Sequence, residues 1–225
     1  MESDLKKAIV LGATGLVGGK LVQLLVQDDR YKDITILTRS APEISHPKLK
    51  VVLGNLMQME SFEKEFRGDE LYCCIGTTKA KTPNKAKYKA IDYGIPVGAA
   101  NYCKKNGIPT FIAISALGAD PRSAIFYSKI KGEMERDIIA LGIAKTHMVQ
   151  PALIGGDRSE KRAGEHFFKE LLGALDPVMI GPFKKFRMIL PETIAKAMVY
   201  LANTPYDQTR IASADLEILG NNGTA

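Results

Sequence analysis

The sequence lacks a long hydrophobic segment. None of its apolar runs approaches the roughly 20 residues that a helix needs to span a bilayer. The first residues, MESDLKKAIVLG, carry acidic and lysine side chains before a short apolar stretch that is typical of a β-strand rather than of a targeting segment. We therefore expect a cytoplasmic protein without a membrane span.

Cysteine and histidine are scarce, with three residues of each. Cys73, Cys74 and Cys103 make an odd number, and their spacing does not match a set of zinc ligands. Because side chains alternate along a strand, Cys73 and Cys74 point to opposite faces if they lie on one. We expect reduced, buried thiols. His147 and His166 have no companions at metal-ligand spacing, so no metal site is predicted.

Positive charge is not concentrated in a tail, although 31 Lys and Arg against 25 Asp and Glu leave a formal net charge of +6. This balance permits attraction to phosphorylated ligands, nucleic acid or an acidic partner. The densest basic stretch, TKAKTPNKAKYK at residues 78–89, has Tyr88 as its only aromatic ring. Single-stranded nucleic acid is usually bound on several interleaved rings. Nucleic-acid binding is therefore the least favoured hypothesis.

Short apolar runs rich in β-branched residues alternate with longer segments of helical period. This alternation predicts parallel strands joined by crossover helices. A helix is predicted at residues 16–27, and another at residues 91–107 that ends at Asn106-Gly107 and is kinked or shortened by Pro96. The predicted strands are residues 7–12, 34–39, 49–54, 70–76, 110–115 and 145–151.

The expected fold is α/β: a Rossmann-type doubly wound parallel sheet with helices on both faces. We expect one domain over residues 1–225, because no repeat, linker or low-complexity tract divides the chain. The regular alternation stops after Pro151, and a small substrate-side region is expected at about residues 151–190. Such sheets bind ligands beyond the carboxyl ends of their strands, near the point where strand order reverses.

The first strand leads into GATGLVGG, in which Gly12, Gly15 and Gly18 are spaced three apart. A glycine triplet that closes a strand and opens a helix offers backbone N–H groups and the positive helix end to a pyrophosphate. A P-loop is excluded, because Lys20 is followed by leucine rather than by Ser or Thr. The alternative to a dinucleotide site is a tight turn without a ligand. The predicted contacts in this loop also include Thr14, Leu16 and Val17.

The second strand ends with Thr38, Arg39 and Ser40. A site for NAD usually has an acidic residue here, which accepts hydrogen bonds from the ribose hydroxyls. Arg39 can instead pair with a 2′-phosphate through its guanidinium, while Thr38 and Ser40 add neutral hydrogen bonds. We therefore predict NADP as the cofactor, with NADPH preferred over NADH. The alternative is an exposed arginine at a strand end.

Further cofactor contacts are predicted just beyond the third, fourth and sixth strands, because these strand ends share one edge of the sheet. The segment after the third strand is expected to flank the adenine, the IGTT segment after the fourth to pass the nicotinamide ribose, and the segment after the sixth to cover the nicotinamide. In that order, the predicted contacts are Asn55 and Leu56; Gly76, Thr77 and Thr78; and Pro151, Leu153 and Ile154.

Ser115 ends the fifth strand, twelve residues before Tyr127 in the segment FYSKIKG. Tyr127 and Lys131 are four residues apart and therefore lie on one face of a helix. Hydride transfer to a carbonyl builds negative charge on oxygen, which requires a proton donor and a group that holds the oxygen. Ser115 and Tyr127 can supply these. Lys131 and the positive nicotinamide ring of the oxidised cofactor are together expected to lower the pKa of Tyr127 from about 10 toward 7, and Lys131 is also expected to contact the nicotinamide ribose. The alternative is an exposed helix face without a catalytic role.

The sequence resembles the short-chain dehydrogenase/reductase superfamily in its atypical branch, and within it the NADP-binding proteins related to the Tat-interacting oxidoreductase-like group. The resemblance rests on IVLGATGLVGGKLVQLL, YCCIGTTKAK, ISALGAD with FYSKIKGEME, and PALIGGDR with the following RAGE. It implies a Rossmann fold that binds NADPH, with Ser115, Tyr127 and Lys131 as the catalytic residues. Neither Asn84 nor Asn101 matches the asparagine that completes the site in many members.

Two hypotheses stand above nucleic-acid binding. The first is an NADPH-dependent oxidoreductase that reduces an unidentified small carbonyl substrate by hydride transfer. The second is a non-enzymatic NADPH-binding sensor or regulator that binds a protein partner, as the resemblance implies for some relatives. Asp157, Arg158 and Arg162 are predicted to form a structural ion-pair cluster rather than to bind substrate.

Overall fold

The computed structural model describes residues 5–155 and 188–222. The strands in these ranges are β1 (Lys6–Leu11), β2 (Tyr31–Thr38), β3 (Leu49–Leu53), β4 (Glu70–Cys73), β5 (Thr110–Ile114), β6 (Lys145–Gln150), β7 (Leu153–Ile154), β8 (Met188–Ile189) and β9 (Arg210–Ala212). The α-helices are α1 (Leu16–Gln27), α2 (Lys85–Lys89), α3 (Ile95–Asn106), α4 (Phe126–Ala140), α5 (Pro191–Asn203) and α6 (Ser213–Asn222). A 3-10 helix spans Met59–Glu65.

In the described part of the chain, seven strands form one parallel sheet in the order β3-β2-β1-β4-β5-β6-β9. At its centre, Val10 of β1 lies between Ile36 of β2 and Tyr72 of β4. The chain runs outward from β1 to β3 and then returns to β4 on the other side of β1. Strand order therefore reverses between β1 and β4, where such sheets bind ligands. The predicted α/β fold is confirmed.

All six predicted strands are present, with ends that differ by up to three residues. The differences of three residues are at the start of β2, at Tyr31, and at the end of β4, at Cys73, although the apolar run continues to Ile75. The edge strand β9 was not predicted. It is only three residues long and buries one of them fully, Ile211, so it has no apolar alternation to recognise.

The core lies in two layers, one on each face of the sheet. Ala8 and Val10 of β1 face the layer that contains α1 and α5, whereas Ile9 and Leu11 face the layer that contains α3 and α4. Both faces of β1 are buried, which explains its uninterrupted apolar sequence. Burial of each of the larger side chains, Ile9, Val10 and Leu11, contributes roughly 1.5–3 kcal/mol.

The three thiols are free; Cys73 and Cys103 are buried as predicted, whereas Cys74 is half-buried. Cys73 packs in the layer of α3 and α4, and Cys74 packs against the opposite layer. Cys103 is buried beside the first of these layers. Burial raises the pKa of Cys73 to about 11, so its thiol is unreactive at neutral pH.

The predicted helix at residues 91–107 begins earlier and is irregular. Helix α2, a π turn at Ala90–Gly94 and α3 follow one another without a break. Pro96 has no N–H, so it cannot donate to the carbonyl of Asp92 four residues before it. The helix widens here, and the N–H of Ile95 bonds to the carbonyl of Ala90 five residues back. Helix α3 then ends at Gly107, whose φ of 68° is left-handed, as predicted.

Several predicted features lie outside the described residues. They are the ion-pair cluster of Asp157, Arg158 and Arg162, and the isolated His166. The same holds for most of the substrate-side region at 151–190, of which residues 151–155 and 188–190 are described, including the short pair of strands β7 and β8. Among the described helices, none has the length and apolar character that crossing a bilayer requires.

A buried polar cluster lies at the amino-terminal edge of the sheet, opposite the predicted site. The Glu70 carboxylate accepts hydrogen bonds from Tyr31 (2.7 Å), Tyr72 (2.6 Å) and Lys6 (2.7 Å). Asn203 of α5 donates to the Tyr31 hydroxyl at 2.7 Å and accepts from Lys6 at 2.7 Å. Burial raises the pKa of Tyr72, which stays a protonated donor. The cluster ties β1, β2 and β4 to α5.

We expect Tyr72→Phe to lower the free energy of unfolding by about 1.5–3 kcal/mol, because the buried Glu70 carboxylate loses one of its donors. Urea denaturation measures this change. Tyr102→Phe is the control, since its ring stacks on Phe66 and its hydroxyl has no hydrogen-bond partner in the described ranges. The control is expected to shift stability by less than about 0.5 kcal/mol. Equal losses in the two variants would contradict a stabilising role for the cluster.

Candidate functional site

The turn between β1 and α1 is packed too tightly for side chains at two positions. Gly12 has a φ of 85°, and a Cβ there would lie 2.6 Å from the carbonyl oxygen of Cys74. A Cβ on Gly18 would overlap the carbonyl oxygen of Gly12. The N–H of Gly15 bonds to that same carbonyl at 3.0 Å, which closes the turn. Helix α1 therefore begins directly against the end of β1.

The amino terminus of α1 is open to an anion. Its N-cap, Gly15, is exposed and has no side chain with which to cap the helix, and its first turn contains no acidic residue. The first N–H groups of a helix have no partners inside the helix. Thr14 is exposed and Leu16 is half-buried. Val17 packs in the core, so only its backbone can contact a ligand. These features suit a pyrophosphate.

At the end of β2, the predicted residues differ in what they can offer. Arg39 and Ser40 are exposed, and the Arg39 guanidinium has no ion-pair partner among the residues described. Thr38 is buried, and its hydroxyl donates to the Ser40 carbonyl at 2.9 Å, which closes a turn. Leu37 pairs with Leu11 at the end of β1, so Arg39 and the glycine loop share one edge of the sheet.

The segment after β3 is only partly accessible. Asn55 is exposed, and its side chain accepts a hydrogen bond from the Met57 N–H at 3.1 Å. Leu56 is buried in the layer of α3 and α4, so its side chain does not face a ligand. Of the two residues predicted to flank an adenine, only Asn55 lies on the surface.

The loop of residues 75–78, after β4, is anchored through Thr77. The Thr77 N–H donates to Oδ2 of Asp92 at 2.8 Å, and its carbonyl accepts from the Tyr88 hydroxyl at 3.2 Å. Its hydroxyl shares a hydrogen bond of 2.9 Å with that of Thr82. Gly76, the residue before Thr77, remains exposed. The loop is thus held in place while its tip stays accessible.

Beyond β6, the chain returns to the loop after β5. The carbonyl of Pro151 accepts a hydrogen bond from the Leu117 N–H at 3.1 Å. Pro151 is itself buried, and Leu153 and Ile154 of β7 are half-buried. The segment predicted to cover the nicotinamide therefore lies next to the loop that begins at Ser115.

Ser115 and Lys131 meet at the carboxyl end of β5. Ser115 is the first residue after this strand, is 2% exposed, and its hydroxyl oxygen has no hydrogen-bond partner within the described ranges. Lys131 of α4 donates to the carbonyl of the preceding residue, Ile114, at 3.3 Å. A buried hydroxyl without a partner is costly in a folded protein, which points to a ligand that completes it.

Lys131 also forms a buried ion pair that we did not predict. Its Nζ lies 3.3 Å from Oδ1 of Asp92, and the two side chains are 2% and 1% exposed. The contact is an ion pair rather than a well-aligned hydrogen bond, and Oδ1 has no other partner among the described residues. The sequence contains a signal for Asp92, a lone carboxylate in the apolar helical segment AIDYGIPVGAA. A buried carboxylate needs a partner, but the apolar period of the segment does not identify the partner residue.

Tyr127 lies one helical turn before Lys131 and is 41% exposed. Its ring packs edge-on against Tyr88, with 6.5 Å between the centroids. Burial raises the pKa of the Tyr127 phenol; the Lys131 ammonium opposes this, and Asp92 adds to it. Without a cofactor, desolvation outweighs the ammonium and the pKa is raised; the expected lowering also requires the positive nicotinamide ring and stays a prediction. Tyr127 is a neutral phenol at neutral pH.

The two asparagines considered in the sequence serve their own helices. The Asn84 side chain caps α2 by accepting from the Lys87 N–H at 2.9 Å. The Asn101 amide donates to the Val97 carbonyl at 2.8 Å. Asp92 is instead the polar residue that the segment 84–106 contributes to Lys131.

Known proteins are similar to this chain in sequence and in fold. Residues 12–161 match a protein-family model described as NAD(P)H-binding. Protein FMP52, mitochondrial, of Candida albicans is 33% identical over 171 residues, which are 73% of this chain and 74% of that protein. The FMP52 protein of Debaryomyces hansenii is 31% identical over 205 residues, 89% of each chain.

One solved structure illustrates the fold. The Bordetella bronchiseptica enzyme WbmH in complex with NAD+ superposes with a TM-score of 0.69. The match covers 92% of this chain and 75% of that enzyme, at 14% sequence identity. At that identity the likeness shows the Rossmann-type fold alone.

The relatives contradict the predicted location. They are named as mitochondrial proteins, so the cytoplasmic prediction is wrong. The prediction rested on hydropathy and charge. Compartment addresses are read by receptors, and the composition of a folded domain does not contain them.

Two adjacent glycines test the packing of the loop. Gly18→Ala is expected to destabilise the protein and to weaken cofactor binding at least tenfold, because the new Cβ overlaps the Gly12 carbonyl. Gly19→Ala is the matched control, since its Cβ would lie 3.5 Å from the Ala13 carbonyl, an ordinary contact. It should be neutral or raise stability by up to about 1 kcal/mol, as alanine favours a helix.

Urea denaturation and titration with NADPH measure both effects. If Gly18→Ala and Gly19→Ala bind NADPH equally well, the close approach of α1 to the loop is not required for the site.

Proposed function

We propose a function from one premise: the chain belongs to the NAD(P)H-binding protein family. The function is NADPH-dependent reduction of a small carbonyl compound by hydride transfer, of the short-chain dehydrogenase/reductase type. The observation that carries the proposal is the group at the carboxyl end of β5. Three groups lie at the sheet edge that bears the glycine loop: a buried ammonium, a neutral phenol one helical turn from it, and a serine hydroxyl that has no hydrogen-bond partner among the described residues.

The residues fit such a cofactor. The turn at Gly12 and Gly18 is too tight for side chains, which brings the amino terminus of α1 directly against the end of β1, and that exposed terminus suits a pyrophosphate. The Lys131 ammonium has three donors. Its neighbours are the Ile114 carbonyl and the Asp92 carboxylate, so a donor remains for the nicotinamide ribose. Asn55, Gly76 and the segment after β6 are the further contacts that we propose.

The roles of the side chains follow from their surroundings. When bound, NADPH supplies the hydride. The Ser115 hydroxyl has no partner in the described ranges and can donate to the substrate carbonyl oxygen, which holds it as negative charge develops. Tyr127 stays protonated at neutral pH, so it can donate its proton to that oxygen. The positive charge of Lys131 favours the phenolate that Tyr127 becomes.

The preference for NADPH rests on Arg39. Its guanidinium is exposed at the edge that bears the glycine loop, and no described carboxylate neutralises it. A guanidinium binds a phosphate through two parallel hydrogen bonds. The exposed hydroxyl of Ser40 can add a neutral one, whereas Thr38 supports the turn.

Titration of the purified chain with NADPH and with NADH tests this preference. We expect tighter binding of NADPH, and Arg39→Ala should lower its affinity about tenfold, or ~1.4 kcal/mol, without changing the affinity for NADH. Arg67→Ala is the control, because Arg67 is exposed just before β4, at the opposite edge of the sheet. A loss for both cofactors, or for neither, refutes the role of Arg39.

The catalytic role of Tyr127 is tested by following NADPH oxidation with a panel of aldehydes and ketones. Tyr127→Phe should lower kcat by about 10²–10⁴-fold, because the proton donor is lost, and leave NADPH affinity nearly unchanged. Tyr102→Phe, whose ring stacks on Phe66 rather than on the residues of this site, should keep full activity. Undiminished turnover by Tyr127→Phe contradicts the mechanism. NADPH binding without turnover by the unaltered chain favours the sensor hypothesis.

Three narrower statements remain proposals. Within the superfamily, we propose kinship with the Tat-interacting oxidoreductase-like group, on the motifs quoted above. We propose a mitochondrial location, as in the names of the relatives. We also propose that residues 151–190 form the substrate side of a single domain, because Pro151 lies beside the loop after β5.

A further inference from the structure

The Asp92–Lys131 pair is the one ion pair of the described residues in which both side chains are almost wholly buried. Burying two charges costs several kcal/mol per ion before their attraction is counted, and apolar residues often stabilise a core better. Stability is therefore a poor reason for this pair. Lys131 already has a role in the proposed reaction, whereas Asp92 has none.

Asp92 lies in an irregular turn of its helix. Pro96 deprives the Asp92 carbonyl of its usual donor, and the helix widens into the π turn Ala90–Gly94. Such turns occur often at functional sites, because they change which side chains face inward. Here Asp92 is buried while its neighbours Ile91 and Tyr93 are only half-buried.

The Asp92 carboxylate connects two parts of the site through its two oxygens. Oδ2 accepts the Thr77 N–H at 2.8 Å and so holds the loop of residues 75–78. Oδ1 lies 3.3 Å from Nζ of Lys131, which in turn bonds to the carbonyl that precedes Ser115. The same oxygen lies close to Gly76, where a Cβ would be 3.6 Å away. One side chain thus contacts both the loop and the lysine.

Without Asp92, little would orient the lysine. A lysine ammonium is a point charge on a flexible four-carbon stem, and the remaining bond to Ile114 is long at 3.3 Å. We propose that Asp92 is a positioning residue of the site, which holds Lys131 and the loop of residues 75–78 in one arrangement toward the nicotinamide cofactor. This inference rests on the proposed function, because the cofactor is the ligand that the arrangement serves.

A double-mutant cycle separates positioning from a purely structural role. Asp92→Asn removes the charge but keeps an oxygen for the Thr77 N–H. Lys131→Met removes the ammonium and keeps the apolar length of the side chain. The third variant carries both changes, and NADPH dissociation constants are measured for the four chains by titration calorimetry.

We expect Asp92→Asn to weaken NADPH binding about tenfold when Lys131 is present and less than about twofold in the Lys131→Met background. Asp137→Asn is the matched control, since Asp137 lies on α4 and its partners are Arg136 and Tyr93 rather than Lys131. It should leave NADPH affinity unchanged. Equal losses from Asp92→Asn in both backgrounds, or no loss in either, overturn the positioning role.

Urea unfolding of the same four chains without cofactor provides a second readout. The double variant should be more stable than either single variant, because each single change leaves a buried group without its partner. Coupling in stability without coupling in NADPH affinity makes Asp92 a structural residue only, which overturns the inference. If the unaltered chain binds no NADPH, the proposed function itself fails. In that case, coupling between the two changes in stability would show only that Asp92 and Lys131 form an ion pair.

Discussion

The site depends on the close contact between the end of β1 and the end of β4. The N–H of Cys74 bonds to the carbonyl of Leu11 at 2.8 Å, and Gly12 then turns with a left-handed φ directly against the Cys74 carbonyl. Only glycine allows this approach. Because strand order reverses at this point, the loop after β1 and the loop after β4 diverge from a shared edge. The glycine loop and residues 75–78 are therefore neighbours before any ligand binds.

The two edges of the sheet use polar residues in opposite ways. At the amino-terminal edge, Glu70 has donors from two tyrosines and a lysine, so its charge is satisfied inside the protein. At the carboxyl-terminal edge, the Ser115 hydroxyl and one oxygen of Asp92 have no hydrogen-bond partner among the described residues. Satisfied buried groups stabilise a fold, whereas unsatisfied ones cost free energy unless a ligand completes them. The contrast separates the structural edge from the edge where we propose chemistry.

Much of the fold could be predicted, because buried parallel strands require continuous apolar sequence and crossover helices require an apolar face. Strand β9 was not predicted, because three residues are too few to show an alternating apolar pattern. The site was predicted less completely. Leu56 was predicted to contact the adenine because it follows a strand, but its side chain packs in the core. The pKa of Tyr127 depends on desolvation against a nearby charge, and neither can be read from a spacing of four residues.

The sequence by itself determined the parallel sheet, the glycine turn at its switch point and the common helix face of Tyr127 and Lys131, because these follow from local period and backbone chemistry. The tertiary structure alone decided which groups meet at the end of β5. Asp92 reaches Lys131 from the π turn at Ala90–Gly94, which packs beside α4. Such an ion pair joins residues distant in the chain, and its geometry comes from packing, which no local pattern encodes.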